Sequence, residues 1–152
     1  MGNADFSHIL CGVDGSDAAC RAARVAARLA KAFDAQLTFV TVAKNAVNSP
    51  ELDAYRRTEQ LDLATPVPVV KQEADACLEI AVELAREVGI ENANRVVRTG
   101  AVADAILSLG SELSADALVL GHHQRSRLGR AIVSSVSSKV ADHGPMKVLL
   151  VP

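Results

Sequence analysis

The stretch from residue 121 to 140, GHHQRSRLGRAIVSSVSSKV, is where the sequence speaks most directly of chemistry. It runs from the end of an apolar segment into a helical pattern whose first turn carries Ser134 and Ser135, so free backbone N–H groups and hydroxyls can converge there on an anion. The same serines are equally good helix caps and need no ligand to explain them. Arg125, Arg127 and Arg130 are three arginines in six residues beside that helix start, which favours phosphate over scattered surface charge, although an exposed arginine is ordinary. Asp14 closes another apolar run and is followed by Gly15 and Ser16. A carboxylate in that position can bond ribose hydroxyls or hold a metal. It can also simply close the turn through its own backbone.

Other chemistries find little support. No G-x-G-x-x-G follows a strand, and neither a G-x-x-x-x-G-K-[ST] loop nor a G-x-S-x-G elbow occurs. His122 and His123 are neighbours on a loop and tend to point apart, and no third ligand is evident, so they read as loop residues. Cys11, Cys20 and Cys77 lack metal-type spacing and read as buried free thiols of a reducing compartment. With no Trp, one Tyr and three Phe, there is little material for stacking on bases, and a net charge of -2 sets up no positive field. A nucleic-acid partner is not expected. The first ten residues lack the basic and apolar regions of a signal peptide, and no run approaches about 20 apolar residues, so the expected compartment is the cytoplasm, without a membrane partner.

Elements that alternate in type position these residues. Residues 8–13 form a short apolar run with the look of a buried strand, and Ser16 and Asp17 can cap the helix that follows. In that helix Ala18, Ala22, Val25, Leu29 and Phe33 recur at helical spacing, with Arg21, Arg24, Arg28 and Lys31 opposite as a solvated face. Residues 37–42 have strand composition. Residues 43–68 lose the pattern, apart from a short helix suggested around 51–61. Val70, Ala74, Cys77, Ala81, Leu84 and Val88 mark the next helix, with Gly89 as its C-cap. A third strand over 95–99 and Gly100 precede a helix with Val102, Ile106, Leu109 and Leu113 on its inner face. Residues 117–120 make a fourth strand, 134–143 a last helix ended by Gly144 and Pro145, and 147–151 a final strand. Strands alternating with helices of this length imply parallel pairing through right-handed crossovers, hence an α/β three-layer sandwich over residues 1–152 as one domain. In such a sheet ligands bind beyond the carboxyl ends of the strands, where the strand order reverses.

The segments ILCGVDGSDAACRAARVAARLA, GAVADAIL and ALVLGHHQRSRLGRAIVSSVSSKVADHGPMKVLLVP together resemble the universal stress protein family over nearly the whole chain. The resemblance implies a five-stranded, mainly parallel open sheet of order 3-2-1-4-5 with helices on both faces. It also implies an adenine-nucleotide-binding stress or signalling module, ATP or AMP as ligand with Mg2+ as its companion ion, and a homodimer built through the C-terminal strand. Carried over by position, Val13 and Asp14 would lie near adenine and ribose, Val42 would line the adenine pocket, and Ser135 with Val136 would meet phosphate and ribose. ATP-binding members carry Gly, two residues, Gly, nine residues, then Gly followed by Ser or Thr. Gly121 matches the first position and Ser135 the last, while Gln124 and Ser134 replace the second and third glycines. A side chain there narrows the close backbone approach of a phosphate cradle. Ser134 can still donate its backbone N–H, and Gln124 and Arg125 can grip an anion by side chain. The alternative is a nucleotide-independent dimeric interaction module with a degenerate site. No residue is assigned a catalytic role, and the most expected of the chain as an enzyme is weak nucleotide hydrolysis.

Overall fold

In a computed structural model, residues 6–43, 57–58, 68–122 and 146–152 are described. The elements over these residues are β1 (His8–Gly12), α1 (Asp17–Phe33), β2 (Gln36–Ala43), α2 (Pro68–Val88), β3 (Asn94–Thr99), α3 (Val102–Glu112), β4 (Ala117–Gly121) and β5 (Lys147–Val151). The strands form one five-stranded sheet of order β3-β2-β1-β4-β5, as the resemblance implies. Every pairing is parallel: Leu10 lies between Thr38 and Leu118, and Leu118 in turn pairs with Val148. Parallel strands need long crossovers, and α1, α2 and α3 supply those from β1 through β4.

The sheet divides two cores. On one face Ile9, Cys11, Leu37, Phe39, Ala117 and Val119 pack against α1 and α2; on the other Leu10, Val40, Leu118 and Leu120 pack against Ile106 and Leu109 of α3. The strands of the sheet's centre are therefore apolar on both sides, which is why residues 8–13 and 117–120 read as continuous runs and not as alternations.

The face that α1 turns inward differs from the one its larger residues suggest. Its buried residues are Ala18, Ala19, Ala22, Ala23, Ala26, Ala27 and Ala30, whereas Val25 and Leu29 are half-buried and Phe33 is exposed. The small side chains let α1 lie close to the sheet and to α2. Phe33 is used differently: its ring meets that of Phe6 at 4.7 Å between centroids. The basic residues Arg21, Arg24, Arg28 and Lys31 are exposed as expected.

Local chemistry fixes the helix ends. Ser16 accepts the N–H of Ala19 at 3.1 Å and caps α1, and Asp34, at φ 53, turns the chain out of it. Gly89, at φ +105, ends α2 while the N–H of Ile90 returns to the carbonyl of Ala85 at 2.9 Å. At the amino end of the sheet, Oδ2 of Asp116 accepts the N–H and hydroxyl of Ser7 and the N–H of His8. These donors hold the Asp116 carboxyl below the usual carboxylate range. Among the described residues no helix is long and apolar enough to cross a membrane. The expected helices over 51–61 and 134–143 lie almost wholly outside the described residues.

Candidate functional site

The chain leaves β1 for the β2-β3 side of the sheet and later returns through β4 to the other side, so the strand order reverses beside β1. A cleft of about 100 Å³ opens there, at the carboxyl ends of β1, β2 and β4. Room of that size holds several water molecules, so the side chains of the described residues leave it open.

Its floor is apolar. Val40 and Val42 from β2, Leu120 from β4, and Val102 and Ile106 from the start of α3 line it, with Gly12 and Val13 at the end of β1. The β1 ladder continues one residue beyond the strand, the N–H of Val13 donating to the carbonyl of Val40 at 2.9 Å, and Val13 is buried. Gly12 keeps the floor open: a Cβ there would lie 2.8 Å from Cδ2 of Leu120 and 3.3 Å from Cδ1 of Ile106.

The polar rim comes from Asp14, Ser16 and Thr41. Asp14 is exposed, and its Oδ1 accepts the N–H of Ser16 at 2.9 Å, so the turn-closing role weighed from the sequence is observed. Among the described residues no donor reaches its Oδ2. One oxygen thus organises the turn, and among the described residues the turn-closing role does not use the other. Gly15, at φ +83, takes the left-handed conformation that the turn requires. The first turn of α3 begins at Ala101, whose side chain makes no cap, at the same end of the sheet.

Gly121 ends β4 and lines the cleft, but its tightest constraint lies behind it. A Cβ there would sit 2.5 Å from the carbonyl carbon of Ala18, 2.6 Å from its oxygen and 2.7 Å from the nitrogen of Ala19. Glycine at 121 is what allows the first turn of α1 to press against the strand end. The N–H of His122 donates to the carbonyl of Val151 at 2.6 Å, which ties the same corner to β5, and its buried Nδ1 has no partner among the described residues.

Of the residues singled out by the sequence, Val13, Asp14, Val42 and Gly121 are brought together around this cleft. Gln124, Arg125, Ser134, Ser135 and Val136 lie outside the described residues. Sequence reasoning missed Val40, Val102 and Ile106 as lining residues. The signal was present for the last two, since a helix that starts just after a strand must place its first turn at the carboxyl edge of the sheet.

Comparison with known proteins agrees with this geometry. The family model described as "Universal stress protein family" matches residues 5–152. Universal stress protein YxiE of Bacillus subtilis is 31% identical over 147 residues, covering 96% of this chain and 99% of that protein. Universal stress protein UspA from Lactobacillus plantarum superposes with a TM-score of 0.73 at 26% identity, covering 99% of this chain and 100% of the other. A universal stress protein crystallised in complex with cAMP superposes with a TM-score of 0.64 at 26% identity, covering 97% of each chain. Sheet order, the cleft at its reversal point and a family match running almost from end to end lead to one conclusion: the chain belongs to the universal stress protein family.

Proposed function

We propose that the chain is a nucleotide-binding signalling or stress-response module, one domain over residues 1–152, that takes an adenine nucleotide in the cleft between β1, β2 and β4. The observation that carries this reading is the pairing of an apolar slot, floored by Val40, Val42 and Ile106, with the exposed Asp14 carboxylate at its rim, whose Oδ2 meets no donor among the described residues. A flat heteroaromatic base suits the slot, and a carboxylate suits the two hydroxyls of a ribose beside it. A relative of the same fold holds cAMP, an adenine nucleotide. In this reading Val13 and Val42 contact the base, Asp14 binds the ribose, and Gly121 sets the cleft wall. Gln124, Arg125, Ser134, Ser135 and Val136 receive the phosphates, and ATP or AMP is the ligand, with Mg2+ serving ATP.

The module acts as a cytoplasmic homodimer. Leu149 and Leu150 of the edge strand β5 are 41% and 37% exposed, and pairing with a second copy would cover that edge. A monomeric mass in light scattering at micromolar concentration would contradict the dimer.

Thermal denaturation with ATP, AMP and cyclic AMP tests the ligand. A nucleotide at about 100 times its Kd stabilises the native state by roughly 2.7 kcal/mol, a rise in Tm of about 5–10 °C for a chain of this size. No shift with any of the three at millimolar concentration would remove the reading. A second reading, an interaction module with a degenerate site, draws on Gln124 and Ser134, which stand where ATP-binding relatives carry glycine. It gains if Gln124→Gly with Ser134→Gly creates ATP binding that the native chain lacks.

A further inference from the structure

Behind the Asp14-Gly15-Ser16 turn, on the side away from the cleft, lies a second and much smaller space. It is a crevice of about 10 Å³ between α1 and α2, and both Cys20 of α1 and Cys77 of α2 line it. That volume is about one water molecule. Both thiols are free and half-buried, so neither is sealed from solvent, whereas Cys11 lies at 0% exposure within the core. The sulfur of Cys77 packs directly behind the turn: a Cβ added at Gly15 would lie 3.1 Å from it. Two cysteines on neighbouring helices thus line one water-sized gap at the foot of a positive-φ glycine.

We propose that Cys20 and Cys77 are a redox dithiol that closes to an intramolecular disulfide when a peroxide reaches the crevice, bolting α1 to α2 behind the Gly15 turn. The chemistry balances in two steps. The thiolate of one cysteine attacks a peroxide oxygen, the O–O bond breaks, and a sulfenic acid forms as water or an alcohol leaves. The second sulfur then attacks the sulfenic sulfur, the S–O bond breaks, the S–S bond forms and water leaves. Each sulfur is oxidised, and the peroxide is reduced. Roles follow from surroundings. Burial, then the nearby Asp14 and Glu73 carboxylates, push the Cys77 thiol up, which disfavours it as the first nucleophile; in the second step its proton leaves with the sulfenic hydroxyl as water when its sulfur attacks. Cys20 is the sulfur that meets the oxidant. Neither step needs a nucleotide in the cleft.

The test uses the full native chain. It is treated with hydrogen peroxide in modest excess, quenched, unfolded at once in the presence of N-ethylmaleimide so that every remaining thiol is capped, digested and mapped by mass spectrometry. The expected result is a Cys20–Cys77 cross-linked peptide as the main oxidised product, released by dithiothreitol, with Cys11 recovered as the maleimide adduct. Cys20→Ser and Cys77→Ser should each abolish that peptide, and Cys77→Ser should leave Cys20 as a sulfenic acid that dimedone traps. Independent sulfinic acids without a cross-link, a disulfide to Cys11 or between two chains, or no oxidation at all would each overturn the proposal. The cross-link is mapped on the native chain, so a serine variant that folds poorly does not change that result.

Discussion

Replacing Gly121 with alanine puts the packing of the cleft corner to a direct test. The added methyl would stand 2.5–2.7 Å from three backbone atoms of Ala18 and Ala19, where ordinary contact begins near 3.4 Å. The first turn of α1 must therefore retreat by roughly 1 Å, and no rotamer change can relieve the contact because the obstacle is main chain. Overpacking of this kind costs about 1–3 kcal/mol, and with rigid neighbours the upper part of that range is expected. In a domain of this size that is a loss of about 5–10 °C in Tm. Gly12→Ala is the internal control: its methyl meets only the ends of the Leu120 and Ile106 side chains, at 2.8 and 3.3 Å, and these can rotate away. Urea and thermal denaturation of both variants, followed by circular dichroism, should rank Gly121→Ala well below Gly12→Ala. Equal stability of the two, or a change under about 0.5 kcal/mol at Gly121, would refute the close approach of α1 to β4.

Three further outcomes follow from the fold. His8 is 8% exposed and bonded to the Thr38 hydroxyl at 2.7 Å, and burial lowers its pKa despite the opposing pull of Asp116 and a Leu113 carbonyl. The unfolded chain therefore takes up a proton first, and stability should fall as pH drops from about 7 to about 5; His8→Gln should flatten that slope in urea titrations, and an unchanged slope would count against it. The lowered Asp116 carboxyl acts in the same direction at lower pH, its contribution being lost as pH falls from the ordinary carboxylate value through the folded one. Phe39 is wholly buried at the centre of the sheet, so Phe39→Ala should cost about 3–5 kcal/mol in equilibrium unfolding, and a cost under about 1 kcal/mol would show that the core is elsewhere. Asp34 sits at φ 53 after α1, so Asp34→Gly should leave stability unchanged or raise it by up to about 1 kcal/mol, and a clear loss would mean that its side chain does more than turn the chain.

Much of the architecture is legible in the residues because a parallel sheet covered on both faces imposes continuous apolar strands, and helices between them impose a longer period. The strand ends expected from the sequence fall within about two residues of those observed, which is the usual uncertainty of such boundaries. The inward face of α1 is less legible, since alanines and larger apolar residues form two adjacent stripes on that helix. Periodicity alone cannot choose between them. Close packing does, and it selects the alanines so that the helix can approach the sheet. At the cleft, Asp14 and Val42 are readable as strand-end residues. The packing role of Gly121 against Ala18 is not, because no local pattern reports a contact between residues so distant in the chain. The same holds for Cys20 and Cys77: by spacing they are isolated thiols, and only the packing of α1 on α2 brings them to one crevice.

Whether an adenine nucleotide occupies the cleft beside Asp14 is tested most directly by isothermal titration calorimetry of the native chain and of Asp14→Ala, with ATP and AMP. Saturable binding to the native chain, weakened about tenfold or more in Asp14→Ala by the loss of a charge-assisted hydrogen bond, is the predicted result. Absence of heat with both nucleotides, or equal affinity in the native chain and the variant, would contradict it.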